Sequence, residues 1–405
     1  MVERKEYLDQ LWMWKDEQQI KVVTGIRRCG KSVLLEQYQQ RLLEDGVTPQ
    51  QIISINFENL DYEHLKDYRA LYTYLKERLC PDKMTYIFLD EIQEVQHFEK
   101  VVDSLYIRED VDIYITGSNA YMLSGELATL LSGRYIEIKM LPLSFREYTV
   151  VTGLSKEEAF AEFMKTGGIP YVAVMNRTDE KVDQYLEGIY NTVIIKDIEQ
   201  RQARREITGD RRKITDITLL KTVARYLASV IGSTVSIKSI TNYLISSGRK
   251  VSQNTVNDYV EALTESFIFY PVERFDIVGK QLLKTNNKFY MVDMGIRNHI
   301  LPRKQYDLGF TIENIVYLEL ERRGNKVHIG KYGSTEVDFV TQKEGVLTYY
   351  QVTADMTAEE TFEREMRPLR NIQDNYEKIV LTLDRFSTGN YEGIKVVNVI
   401  DWLLE

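Results

Sequence analysis

Short apolar, β-branched runs recur through the first third of the chain: Ile20–Thr24, Ile52–Asn56, Tyr86–Asp90, Asp112–Thr116 and Tyr135–Lys139. Segments with helical spacing of their apolar positions lie between them, among them Ser32–Tyr38 and Leu65–Leu79. Apolar strands separated by helices predict a doubly wound parallel α/β sheet, because strands covered by helices on both faces have no reason to alternate with polar residues. Past residue 141 the pattern turns helical up to about 230. A helix–helix–ribbon pattern follows over about 215–292, then a mixed αββ pattern from 308 onward. The expected organisation is a sheet domain over 1–150, a helical extension over 151–214, a third unit over 215–300 and a last one over 301–405.

Composition narrows the function classes. Asp and Glu number 61 against 52 Lys and Arg, a formal charge of −9, which excludes a basic nucleic-acid coat protein but not a local basic patch. The hydrophobic share of 43% supports cored domains. Cys29 and Cys80 are too few for a disulfide framework or a cysteine-rich zinc site, and four scattered histidines make no metal centre. The charged N-terminus and the lack of any run near ~18 apolar residues predict neither a signal peptide nor a membrane span. A soluble, cytoplasmic protein is expected.

The strongest chemical signal is Gly25-Ile26-Arg27-Arg28-Cys29-Gly30-Lys31-Ser32, followed by Val33. It matches G-x-x-x-x-G-K-[ST] and lies between a strand and a helix, where such a loop wraps phosphates. The glycines allow the tight turn, and N–H groups at the helix start face the anion. Lys31 would meet the β- and γ-phosphates of ATP, and Ser32 would ligate Mg²⁺. The next signal is Asp90-Glu91, at the end of an apolar strand one strand–helix unit later. Asp90 would hold the Mg²⁺ and Glu91 would polarise the attacking water.

Three weaker signals follow. Thr116, Ser118 and Asn119 end the next strand, where they either hydrogen-bond the γ-phosphate or water, or cap a helix. Arg134 precedes the fifth strand, either as a charge stabiliser in cis or from a neighbouring subunit, or as an ordinary surface arginine. Cys29 reads as a small residue tolerated in the loop rather than a redox switch.

These elements in this order resemble the AAA-type P-loop ATPases of the additional-strand, catalytic-glutamate division. The run Leu141-Pro142-Leu143-Ser144-Phe145-Arg146-Glu147-Tyr148, with Gly167-Gly168-Ile169-Pro170, is similar to a large prokaryotic group within them, whose C-terminal part is a domain of unknown function. The resemblance implies ATP and Mg²⁺ as ligands and covers essentially the whole chain.

In the third unit, Val235–Leu244, a turn at 246–250 and a helix from Gln253 to Thr264 precede two apolar β runs, which looks like a winged helix. Its second helix would offer Arg249, Lys250, Gln253, Asn254 and Asn257 to a major groove, with Arg274, Lys280 and Lys284 on the wing, so residues 235–285 are a candidate surface for duplex DNA. Asp258, Glu261 and Glu265 on that helix favour packing against protein instead. Residues 196–213 hold seven basic residues against four acidic ones, either a DNA-facing stretch or a solvated helix. The last unit resembles a restriction-endonuclease-like core, with Glu313 and Asp338 at the first two metal-binding positions. Gln351 and Thr353 stand where Glu-x-Lys is needed, which implies a degenerate site without cleavage. The expectation is an ATPase driving a DNA- or protein-binding part; a slow ATP-dependent switch is the alternative, and a homo-oligomer fits either.

Overall fold

The computed structural model describes residues 2–117, 131, 133–197, 216–301 and 308–405. Asn119, Ser118 and nearly all of the 196–213 stretch lie outside the described residues. The chain forms two compact units, one built on Met1–Pro142 and the other on most of the remainder.

The five apolar runs of the first unit form the strands β1 (Ile20–Thr24), β2 (Ile52–Asn56), β3 (Thr85–Asp90), β4 (Val111–Gly117) and β5 (Tyr135–Lys139). They make a five-stranded sheet in the order β2-β3-β4-β1-β5, every pair parallel. The connecting helices are α2 (Lys31–Glu44), α3 (Tyr68–Lys76) and α4 (Phe98–Tyr106), with α1 (Lys5–Met13) ahead of the sheet. Val22, Ile55, Ile87, Leu89, Ile113 and Ile115 pack in one core with Leu71 and Leu75 of α3 and Val101, Val102 and Leu105 of α4. Each such side chain contributes roughly 1.5–3 kcal/mol by leaving water. Asp67 starts α3 by accepting from the N–H groups of Arg69 and Ala70. Not every buried strand position is apolar: Lys21 of β1 and Asp112 of β4 are both buried, and the Lys21 ammonium lies 2.5 Å from Asp112 Oδ1. Parallel register sets the carboxyl ends of β1, β3 and β4 side by side.

The second unit starts with the helices α5 (Phe145–Thr152), α6 (Lys156–Thr166), α7 (Pro170–Val174) and α8 (Asp179–Asn191). Next come α9 (Ile217–Ser229), β6 (Thr234–Val235), α10 (Ile237–Ser246), α11 (Gln253–Glu265) and the hairpin β7 (Phe269–Asp276) with β8 (Gln281–Met291). Further on are α12 (Met294–Ile300), α13 (Leu308–Arg322), β9 (Lys326–Tyr332), β10 (Thr335–Lys343) and β11 (Val346–Thr353). The chain closes with α14 (Glu359–Asn371), β12 (Glu377–Thr382), β13 (Gly389–Tyr391), β14 (Ile394–Asn398) and α15 (Val399–Trp402). The ribbon is not separate from the last strands. A nine-stranded mixed sheet runs β13-β14-β12-β11-β10-β9-β7-β8-β6. The register of β7 against β8 shifts between Val272 and Arg274, and from Arg274 to Asp276 β7 also pairs in parallel with β9. An edge strand left open exposes unpaired N–H and C=O groups, and β9 satisfies them.

The glycine pair singled out in the sequence has a steric reason. Asp293, fully buried, accepts from Gly168 N at 2.6 Å and from Ile296 N at 3.0 Å, capping α12. A Cβ on Gly167, whose φ is +75°, would meet Asp293 Oδ1 at 2.1 Å, and one on Gly168 would meet the Leu143 carbonyl at 2.5 Å. No helix among the described residues is long and apolar enough to cross a membrane.

Candidate functional site

The phosphate loop leaves β1 at Thr24 and turns into α2 at Lys31. Gly25 has φ +145°, Arg28 φ +65° and Gly30 φ +105°, so three residues of the turn occupy the region that favours glycine. Gly25 also has no room for a side chain, since a Cβ would lie 2.2 Å from the Met140 carbonyl oxygen. Ile26 and Cys29 are buried, Arg28 is exposed, and Arg27 lies 3.4 Å from Glu58. Burial pushes the Cys29 thiol above its ordinary range, which suppresses its thiolate.

The Lys31 ammonium is buried and folds back over the loop, donating to the carbonyls of Gly25 at 3.1 Å and Ile26 at 3.4 Å. Glu91 Oε1 is 3.9 Å away. Asp90, at the end of β3, accepts from Asn56 Nδ2 at 2.8 Å and from the Thr116 hydroxyl, and is hydrogen-bonded to Ser32. Burial raises the Asp90 carboxyl above its usual range, opposed by the Ser32 and Thr116 hydrogen bonds. Glu91 follows with φ +53°, a conformation costing about 1–3 kcal/mol in a non-glycine residue. Its N–H donates to Thr116 Oγ1 at 3.0 Å, and its carboxylate accepts from Gln93. The loop, Asp90, Glu91 and Thr116 thus converge at the carboxyl ends of three adjacent strands.

Arg134 is elsewhere. Its carbonyl accepts from Ile20 N at 2.9 Å, which places it at the amino ends of the strands. β5 climbs at roughly 3.3 Å per residue, so Arg134 sits on the order of 15 Å below the level of the loop. Its guanidinium lies 3.9 Å from Asp103 and over the ring of Tyr106 on α4.

The second unit holds a buried polar cluster around Glu313 of α13 and Asp338 of β10. Lys288 of β8 sits 3.1 Å from Glu313 and 2.8 Å from Glu336, and the Tyr290 hydroxyl donates to Glu313 at 2.5 Å. Asp338 accepts from Val352 N at 2.8 Å. Gln351 donates to Glu365 at 3.1 Å, and Thr353 donates to the Asp355 carbonyl at 3.2 Å. Burial raises both Glu313 and Asp338, and the charge of Glu313 raises Asp338 further. Burial works against the charge on Lys288, but the carboxylates of Glu313, Asp338 and Glu336 outweigh it and hold its ammonium above the ordinary range.

Residues 17–149 match an AAA domain and residues 157–307 match a domain of unknown function, DUF8612. The chain is 38% identical over 412 residues to an uncharacterized protein of Haemophilus influenzae, spanning 100% of this chain and 99% of that one. This chain belongs to that family of AAA-type P-loop ATPases. The chain is also similar to an uncharacterized protein of Methanocaldococcus jannaschii, 28% identical over 415 residues, spanning 94% of this chain and 85% of that one. The solved Walker-type ATPase of Pyrococcus abyssi aligns with 74% of this chain and 96% of its own at 16% identity and a TM-score of 0.46.

Within the AAA domain the structure adds residues that motif reading missed. Asn56 ends β2 directly opposite Asp90 in register, a polar residue closing an apolar run, and that ending was a readable signal. Gln93, two positions after Glu91, is another. In the second unit, Lys288 carried no such signal, because Glu313 and Glu336 lie on other elements.

Proposed function

We propose that this family member binds ATP with Mg²⁺ and hydrolyses it. The observation that supports this best is the placement of Lys31, Ser32, Asp90 and Glu91 around one point at the strand ends, with the Lys31 ammonium resting on neutral carbonyls. Lys31 exchanges those carbonyls for the β- and γ-phosphates, and the N-terminal N–H groups of α2 donate to the same oxygens. Ser32 and Asp90 would hold Mg²⁺, which when bound neutralises phosphate charge. The existing Ser32–Asp90 hydrogen bond brings two oxygen donors together, and Asn56 and Thr116 fix the carboxylate. Glu91 accepts the proton of the attacking water, and Gln93 orients its carboxylate. Arg134 has no part in its own chain's site. If it contributes, it does so from a neighbouring subunit.

The ATP cycle drives a DNA- or protein-binding output in the second unit. The order α9, β6, α10, α11 and the hairpin β7–β8 is that of a winged helix, which supports such an output. Gln253, Asn254 and Lys250 are exposed on it, whereas Asn257 is tied to Glu261 at 2.8 Å and Arg249 lies 3.5 Å from Asp216. The restriction-endonuclease-like cluster serves packing rather than cleavage, since of the two carboxylates that would hold a metal Glu313 is already paired with Lys288 and Asp338 already accepts from Val352 N. Steady-state ATP hydrolysis, measured with and without duplex or single-stranded DNA beside Lys31→Ala, tests the proposal. DNA-stimulated turnover lost in the variant supports a DNA-coupled ATPase. Nucleotide binding with negligible turnover under all conditions moves the conclusion to a slow switch with a protein partner.

A further inference from the structure

The first few residues of the chain reach the phosphate loop through one side chain. Arg4 is buried, 3% exposed. Its Nη1 donates to the Cys29 carbonyl at 3.0 Å, inside the loop. Its Nη2 donates to the carbonyl of Leu141 at 2.8 Å and lies 3.4 Å from that of Pro142. A guanidinium taken out of water needs its donors satisfied, so these carbonyls hold it and it holds them. The segment around it is tied down as well. Arg4 N donates to Gln37 Oε1 of α2 at 3.2 Å, and Gln37 Nε2 donates to the Val2 carbonyl at 2.6 Å. Tyr7, whose ring lies 5.0 Å from the guanidinium, accepts at its hydroxyl from Leu141 N at 3.0 Å.

Residues 140–142 are the last of the first unit before the second begins at Leu143. They touch the loop directly too. Met140 N donates to the Thr24 carbonyl at 2.8 Å, and the Met140 carbonyl fills the space a Gly25 side chain would need. The loop and this exit segment therefore share one cation and one close backbone contact.

We infer that Arg4 is a positioning residue that transmits the nucleotide state of the loop to the exit segment 140–142. This rests on the ATP-binding reading. Lys31 must leave the carbonyls of Gly25 and Ile26 to meet phosphate, so the loop carbonyls rearrange on binding. Cys29 is in that loop, and a rigid fork bound to both Cys29 and Leu141 carries the change across. Lysine at position 4 keeps the charge but presents a point donor that cannot span both anchors in fixed geometry.

Hydrogen exchange on the full-length chain, with and without Mg²⁺ and a non-hydrolysable ATP analogue, tests this in wild type, Arg4→Lys and Arg4→Met. In wild type the analogue slows exchange in the loop and at Met140 and Leu141 together. In Arg4→Lys the loop still responds, with Met140, which touches it directly, and the response at Leu141 is lost. Arg4→Met gives the same split if it folds, and Arg4→Lys alone decides if it does not. A response at Leu141 that survives in Arg4→Lys overturns the inference while leaving the ATP site intact. A wild-type loop that does not respond overturns the ATP reading and the inference with it.

Discussion

Each unit has a lysine among carboxylates beside the ends of strands, and the two differ in where the lysine's hydrogen bonds go. In the AAA domain, Lys31 rests on the carbonyls of Gly25 and Ile26, with Glu91 3.9 Å away. In the second unit, Lys288 sits between Glu313 and Glu336 at 3.1 and 2.8 Å. A cation on neutral carbonyls can leave them for a polyphosphate at modest cost. A buried cation paired with a buried carboxylate leaves only at high cost, because Glu313 would then be buried without its counter-charge. Residue types alone make the two clusters look alike. Hydrogen-bond partners separate them: one lysine rests on neutral carbonyls, the other between carboxylates.

The sharpest way to break this comparison is to remove each lysine in turn. Lys31→Ala should lower nucleotide affinity and turnover on the order of 10²–10³-fold, with an unfolding midpoint close to wild type. Isothermal titration and denaturant melts of one preparation read both. Lys288→Met should do the reverse: nucleotide affinity unchanged, and stability down by about 3–5 kcal/mol as Glu313 and Glu336 lose their cation. Adding Glu313→Gln to Lys288→Met should recover part of that loss in urea melts; no recovery would mean that charge burial is not the cause.

Asp293 sharpens the contrast in another way, as a buried carboxyl served by N–H groups and no lysine. Burial pushes it up to about 6, against the N–H groups of Gly168, Ile296, Gly295 and Ile169, which pull it down. Its folded value is above its unfolded one. Its contribution to stability is therefore full below the ordinary Asp range, falls as pH rises towards about 6, and is flat above. The stability gap between wild type and Asp293→Asn should shrink across that window, as urea midpoints at several pH values would read. The smallest expected effect is Asn56→Ala. It leaves one Asp90 oxygen without its donor and should cost about 1–2 kcal/mol in Mg²⁺-dependent turnover, with Kd for nucleotide alone little changed.

The parallel sheet was legible because each strand is a local apolar run and each crossover a local helix. The phosphate loop and Asp90-Glu91 were legible because their chemistry needs neighbours in sequence. Arg4, Lys288 and the parallel pairing of β7 with β9 were not. Arg4 meets Leu141 across more than a hundred residues, Lys288 reaches Glu313 from a different element, and β9 is separated from β7 in the chain by β8, α12 and α13. Arg134 shows the opposite case. The position before a strand is plain in sequence, but which end of the sheet that strand starts from depends on the parallel pairing of β5 with β1.

The central claim is that Glu91 activates water over a loop that holds ATP. Glu91→Gln keeps the shape and the contact with Gln93 while removing the base. The measurement is paired: equilibrium binding of Mg²⁺–ATP and single-turnover hydrolysis on the same variant. The account predicts binding within a few-fold of wild type and hydrolysis slowed on the order of 10²–10³-fold. Hydrolysis at the wild-type rate would contradict it and place the base elsewhere.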